Sequence, residues 1–326
     1  MASRLIVGCG YVGMRVASKW LKQGDSVFAI TRSNARGNEL SQYGIKPLIW
    51  DWLVGGPLDG STSLRTIPEL EASKFATILI AVTHSPQQDL PPVETHTRGL
   101  NHLASLLKTM GWWDGAQTQT KWVYLSTTGV FGPSPPGDWV DEDSDVLPER
   151  PGSIAALAGE LWIASHISKE LRVNLRSAGI YGPDRVPRWQ SIRDQTPLHV
   201  DPNSYLNLIH VDDLASMVMA VSSANMQFEL YCASDGEPVR RKEYYEYISK
   251  LGNWPQPVFE SRSLRSLPAT GAATGAATGN SNFRSDGNKR VRNNRIQTEL
   301  AVRLEYPSYR EGLKSLLDET AKKPSI

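Results

Sequence analysis

Gly8, Gly10 and Gly13 stand in a G-x-G-x-x-G spacing near the start of this 326-residue chain. Three glycines so placed suit phosphate chemistry. The first permits a tight turn, the second leaves backbone open to a pyrophosphate, and the third lets a helix pack closely on a strand. The backbone amides of this stretch, with Tyr11 and Val12 between the last two glycines, would cradle a diphosphate at a helix start. Arg32 and Ser33 carry the next chemical signal. They follow the apolar run Val27-Phe28-Ala29-Ile30, where an acidic residue would accept hydrogen bonds from the ribose hydroxyls of NAD. Here planar guanidinium donors and a hydroxyl replace the acid, with Arg36 nearby, which favours the 2′-phosphate of NADP over NAD. His84 follows the apolar run Ile78–Val82. Imidazole is the side chain that trades protons near neutrality, and a histidine at this strand end would lie by the coenzyme.

These residues need elements to hold them. Leu5-Ile6-Val7 reads as a strand buried on both faces, and Val16, Ala17, Trp20 and Leu21 recur at helical spacing behind the glycines. Gly24-Asp25 stops that helix before the second strand. The triplet therefore sits in a strand–turn–helix–strand unit, the context in which it binds a dinucleotide. Lys46–Asp51 reads as a third strand ending at an acid. Ala76–Val82, Trp122–Ser126 and Val173–Arg176 read as further strands. Helices are expected over 95–110, 154–171, 212–222 and 244–251. The alternation predicts an α/β fold, a Rossmann-type doubly wound parallel sheet with a smaller C-terminal substrate-binding region.

Past residue 183 prolines break the pattern. The expected division is a coenzyme-binding core over 1–182 and a substrate-binding region over 183–326, parts of which return to the core. Residues 268–282 form an Ala-Thr-Gly near-repeat with no large apolar side chain, and read as a flexible surface loop. The segment NKRVRNNRI, 288–296, reads as ordinary surface.

Composition narrows the partners. Lys and Arg number 35 against 34 Asp and Glu, a formal net charge of +1. No strong field favours nucleic acid or an anionic membrane. No apolar run approaches a membrane span, and Met1–Arg4 leads straight into a strand, so no targeting peptide is expected. Cys9 and Cys232 suggest neither a disulfide framework nor a metal site. A cytoplasmic protein with a small-molecule substrate, no nucleic acid, no membrane and no metal is expected.

Five motifs occur in order: GCGYVG at 8–13, LSTTGVFG at 125–132, LRSAGIYGPDR at 175–185, NLIHVDDLA at 207–215, and NKRVRNNRI followed by YPSYREGL at 306–313. Together they resemble the extended short-chain dehydrogenase/reductase family, the NAD-dependent epimerase/dehydratase group. The resemblance implies that Asp51 lies by the adenine and that Ala81, Val82 and Thr83 line the path from adenosine to nicotinamide. It places Thr127 where the family has a substrate-polarising Ser or Thr, whose hydroxyl would donate to an oxygen gaining charge as hydride moves. It also implies a homodimer through helices flanking the sheet, for which the apolar segment 154–164 could serve.

One departure stands out. The family's general acid/base is a Tyr followed four residues on by a Lys that lowers the phenol's pKa. Their places fall near Gly152 or Ser153 and near Ala156 or Leu157. None of the 11 tyrosines in the chain has a lysine four residues later. The chain therefore looks like an atypical member. Ser153 has no base beside it, Tyr181 is expected to pack, Arg176 and His210 to hydrogen-bond at the sheet ends, and Asp212 and Asp213 to cap a helix. Two functions remain: an NADP-dependent oxidoreductase or epimerase on a small carbonyl or sugar-like substrate, with Thr127 and His84 as the reacting side chains, and a non-catalytic NADP-binding sensor.

Overall fold

Short apolar runs build the centre of the protein. In the computed structural model, residues 1–56, 74–84, 90–113, 119–225, 227–260 and 287–322 are described. The loop expected over 268–282 lies outside them. The strands are β1 (Ser3–Val7), β2 (Ser26–Thr31), β3 (Lys46–Ile49), β4 (Phe75–Ile80), β5 (Lys121–Thr127), β6 (Asp138–Val140), β7 (Arg172–Ser177), β8 (Gly179–Tyr181), β9 (Tyr205–Leu206), β10 (Leu208–His210), β11 (Leu230–Ala233), β12 (Val239–Arg240) and β13 (Lys289–Val291). The helices are α1 (Tyr11–Lys22), α2 (Asn34–Gln42), α3 (Pro92–Thr109), α4 (Pro151–His166), α5 (Trp189–Arg193), α6 (Val211–Ser223), α7 (Arg241–Leu251), α8 (Asn294–Leu300) and α9 (Tyr309–Lys322).

Seven strands pair in the order β11-β7-β5-β4-β1-β2-β3, and every pairing is parallel. Strand order reverses between β1 and β4. A doubly wound sheet opens a crevice at such a switch point, outside the carboxyl ends of its strands. Gly8 follows β1 and Ala81 follows β4, so both border that crevice.

Helices cover both faces because the strands are apolar on both. Val16, Ala17 and Trp20 of α1 pack with Leu214 and Val218 of α6 on one face. Leu100 and Leu103 of α3 pack with Trp162 and Ile163 of α4 on the other. Beyond the sheet, Tyr181, Tyr244, Tyr245, Tyr309, Leu198 and Ile248 form a separate core. Residues 230–233 return to the main sheet as its edge strand.

The structure shifts three sequence expectations. Helix α4 begins at Pro151 and ends at His166, against the expected 154–171. Proline is preorganised for the first helical position, and residues 169–171 form a separate 3-10 turn. The segment 288–296 is not simple surface: Lys289 and Val291 are buried in β13, which runs parallel to β6. Asp212 and Asp213 do not supply the N-cap of α6. His210 Nδ1 accepts from the Asp212 N–H at 3.3 Å, while the Asp213 carboxylate accepts from the amides of Glu305 and Tyr306 at 2.7 and 3.0 Å.

Candidate coenzyme and active site

The glycines of the first turn are each required for a different physical reason. Gly8 has φ +92°, and a Cβ there would meet the Ala81 carbonyl oxygen at 2.6 Å. A Cβ on Gly13 would meet the Gly8 oxygen at 2.8 Å and Ile6 at 3.2 Å. Gly10 is different: nothing lies within 4 Å of its would-be Cβ. Two glycines thus serve close packing, and the middle one faces open space at the start of α1. The Met14 N–H bonds back to the Gly10 oxygen at 2.9 Å, so the amides of the first helical turn precede the helical ladder. No side chain caps them and the first turn carries no acidic residue. This cradle fits a diphosphate.

Tyr11 and Val12 tie the turn to its surroundings. Val12 is buried in the core. The Tyr11 hydroxyl donates to the Pro183 carbonyl at 2.8 Å, and its ring lies between Arg15 at 4.3 Å and Arg185 at 5.4 Å. Burial pushes the phenol up to about 12, so it stays protonated. Cys9 is buried beneath the turn and burial raises its thiol to about 12, which makes it an inert packing residue.

At the end of β2, Arg32 is exposed and makes no hydrogen bond or ion pair among the described residues. Ser33 accepts from the Arg36 N–H at 3.3 Å and caps α2. That bond uses a lone pair and leaves the hydroxyl hydrogen for another acceptor. Arg36 reaches back to the glycine turn, where its Nη2 donates to the Cys9 carbonyl at 2.8 Å. Sequence reasoning noted Arg36 only as a neighbour; α2 carries its guanidinium over the turn. Asp51 is buried, and its Oδ1 accepts from the amides of Leu53 and Val54 at 2.8 and 3.2 Å.

Three elements converge on the other half of the crevice. Ala81 donates its N–H to the Val7 oxygen at 2.8 Å. Val82 and Thr83 follow, and His84 Nδ1 lies 3.3 Å from Thr95 Oγ1 on α3. Thr127 ends β5, and its Oγ1 accepts from the Gly129 N–H at 3.0 Å. A Cβ on Gly129 would meet Ser153 Oγ at 2.4 Å and Thr127 Oγ1 at 3.3 Å, so both hydroxyls crowd one point. A Cβ on Gly152 would lie 3.9 Å from the His84 Cβ. Thr127, Ser153, Gly152 and His84 therefore form one neighbourhood, although His84 and Gly152 lie 68 positions apart in the chain.

Buried polar groups fix α4 in place. Arg176 of β7 and Glu160 of α4 form a buried ion pair, with Nη2–Oε2 at 2.8 Å and Nε–Oε1 at 3.1 Å. Ser126 also donates to Glu160, and the Arg176 guanidinium lies 4.9 Å over the Phe131 ring. The Tyr124 hydroxyl donates to the Ala156 carbonyl at 3.2 Å and lies 2.6 Å from His96 Nδ1. With that hydrogen engaged, the Nδ1–H tautomer of His96 donates to the phenol oxygen. Burial, and then the neighbouring His84, lower His96 to about 4. Sequence reasoning missed this layer, since nothing in local spacing joins residues 96, 124 and 160.

The sequence matches the profile of the NAD dependent epimerase/dehydratase family over residues 5–229. The chain belongs to that family. A dTDP-glucose 4,6-dehydratase from Streptomyces niveus is 29% identical over 140 residues, 40% of this chain and 41% of that protein. The match therefore spans less than half the length of this curated relative. A conserved protein of unknown function from Silicibacter pomeroyi superposes with a TM-score of 0.70 at 25% identity, covering 98% of this chain and 99% of its own. A dTDP-glucose 4,6-dehydratase from Bacillus anthracis, solved in complex with NAD, superposes with a TM-score of 0.72 at 15% identity, covering 99% and 98%. Among the described residues no helix is long and apolar enough to cross a membrane.

Proposed function

We propose that this chain is an NADP-dependent oxidoreductase or epimerase acting on a small carbonyl or sugar-like substrate without a Tyr-x-x-x-Lys dyad. The supporting observation is the neighbourhood of His84, Gly152, Thr127 and Ser153 beside a glycine cradle with an open Gly10. Residues 8–13 would hold the diphosphate, Arg32 and Ser33 the adenosine ribose phosphate, Asp51 the adenine, and Ala81 to Thr83 the path to the nicotinamide. When bound, the coenzyme supplies hydride transfer at its nicotinamide ring. Residues 183–326 would supply most of the substrate contacts.

Thr127 does the polarising. Its oxygen already accepts the Gly129 amide, so its hydrogen is available to a substrate oxygen that gains charge. His84 moves the proton. Its Nδ1 is engaged by Thr95, which leaves Nε2 for the substrate. A positioned imidazole contributes roughly 10²–10⁴ in rate, and holding donor and acceptor in line contributes more.

A homodimer through α3 and α4 accompanies this reading. Leu161 of α4 is 62% exposed and Val93 of α3 is 51% exposed, large apolar side chains that a partner helix would cover. A cytoplasmic setting agrees with Cys9 and Cys232, which are both free thiols.

The test is a panel of carbonyl compounds and sugar nucleotides, followed by NADPH oxidation. Turnover that falls on replacing Thr127 with Val supports the reading. Coenzyme binding with no turnover across the panel would instead favour a sensor, a reading that draws on the absence of a proton-transferring side chain at Gly152 and Ala156.

A further inference from the structure

The glycine turn offers a ligand mostly backbone, but Tyr11 sends a side chain away from it. Its hydroxyl donates to the Pro183 carbonyl at 2.8 Å, 172 positions further along the chain. Tyr11 also opens α1, so its own N–H is one of the amides that precede the helical ladder. One residue therefore carries both an amide of the cradle and a hydrogen bond to the turn 182–185.

The turn that receives this bond is closed on itself. The Gly182 N–H donates to the Arg185 carbonyl at 3.1 Å, and the Arg185 N–H to the Gly182 carbonyl at 3.0 Å. Gly182 has φ +149°, and a Cβ there would meet Val211 Cγ1 at 2.7 Å, Tyr11 Oη at 2.8 Å and His210 Nε2 at 3.2 Å. The glycine thus makes room for the hydroxyl and the imidazole together. Just before it, Tyr181 is buried in the second core, where its hydroxyl donates to the Ser308 carbonyl at 3.3 Å. A single turn separates Tyr11 from the core of the C-terminal region.

His210 leaves this contact incomplete. Its Nδ1 accepts from the Asp212 N–H at 3.3 Å, and burial lowers the ring to about 4. The neutral imidazole therefore carries its hydrogen on Nε2. Nε2 is buried and has no hydrogen-bond partner among the described residues, a costly state for a donor. Tyr11 gives its hydrogen to Pro183 and keeps its lone pairs. A small advance of the hydroxyl toward His210 would supply the missing acceptor.

We infer that Tyr11 is a positioning residue that couples coenzyme binding to the substrate-binding region. A diphosphate seated on the amides fixes the first turn of α1, draws the Tyr11 hydroxyl against His210 as well as Pro183, and firms the turn 182–185. This rests on the proposed function and adds an order to it, coenzyme before substrate. Such coupling is reciprocal, so the hydroxyl also contributes to coenzyme affinity.

The test is amide hydrogen exchange on the full chain, with and without NADPH at saturation, read in peptides covering 10–16 and 181–189. Saturation is checked by fluorescence titration. In the wild type NADPH should slow exchange in both peptides, by about tenfold over 181–189. Tyr11→Phe keeps every backbone amide and the ring between Arg15 and Arg185. It should bind NADPH more weakly and, once saturated, show slowing over 10–16 only. Equal slowing over 181–189 in Tyr11→Phe would overturn the inference. So would wild-type slowing over 10–16 with none over 181–189. No slowing over 10–16 in the wild type would overturn the proposed function instead, so the two failures are distinguishable.

Discussion

His84 faces Gly152: a Cβ on the glycine would sit 3.9 Å from the histidine's own. The resemblance puts a tyrosine at or beside this glycine, and here the histidine that follows β4 lies against it. His84→Gln should lower kcat by roughly 10²–10⁴ and leave the dissociation constant for NADPH unchanged. Steady-state kinetics beside a fluorescence titration separate the two. Full turnover in the variant would remove His84 from the reaction.

The buried pair of Arg176 and Glu160 anchors α4, which carries Gly152 and Ser153. Removing one partner strands the other charge in the core. Arg176→Met should destabilise the fold by about 3 to 5 kcal/mol, read as a shift in denaturant midpoint. The double variant Arg176→Met with Glu160→Leu should recover part of that loss. No recovery would mean that packing over Phe131, rather than charge, dominates.

Acid should weaken the fold through buried histidines. His96 is lowered to about 4, chiefly by burial, and His210 likewise to about 4. The unfolded chain takes up protons near pH ~6.5 while the folded chain resists. Stability is therefore complete above pH ~6.5 and declines as pH falls toward ~4, by about 3 kcal/mol per histidine at the limit. Chemical unfolding across that range should show a shallower slope in His96→Gln than in the wild type. An unchanged slope would assign the acid sensitivity to other groups.

Coenzyme selectivity should depend on Arg32. Arg32→Asp places a carboxylate where a 2′-phosphate would lie, and should weaken NADPH far more than NADH. Arg36→Gln should weaken both coenzymes to a similar degree, because its guanidinium holds the Cys9 carbonyl of the glycine turn proposed to seat the diphosphate that the two share. Equal effects of Arg32→Asp on the two coenzymes would remove the argument for NADP.

Much of the fold was legible in local pattern. Apolar runs between glycines gave β1, β2 and β4, and the triplet 8–13 gave the turn between them and α1. Helix α4 starts three residues before the expected 154, because Pro151 suits the first helical position. The reach of Arg36 to Cys9, the His96–Tyr124 contact and the burial of Lys289 were hidden for another reason. Each depends on which elements lie side by side in space, and spacing along the chain carries no record of that. The aromatic rings beside Arg290 and Arg292 make the same point: Trp139 comes from β6 and Tyr205 from β9, while the 288–296 segment has none of its own.

The most direct measurement is a titration of the protein with NADPH and NADH, made on the wild type, Gly10→Val and Gly13→Val after a check of folding. The wild type should bind, with NADPH tighter. Gly10→Val should remain folded, since nothing surrounds that position, and should lose both coenzymes. Gly13→Val should already be destabilised by its contact with the Gly8 oxygen. No affinity of the wild type for either coenzyme, or undiminished affinity in Gly10→Val, would contradict a diphosphate seated on this turn.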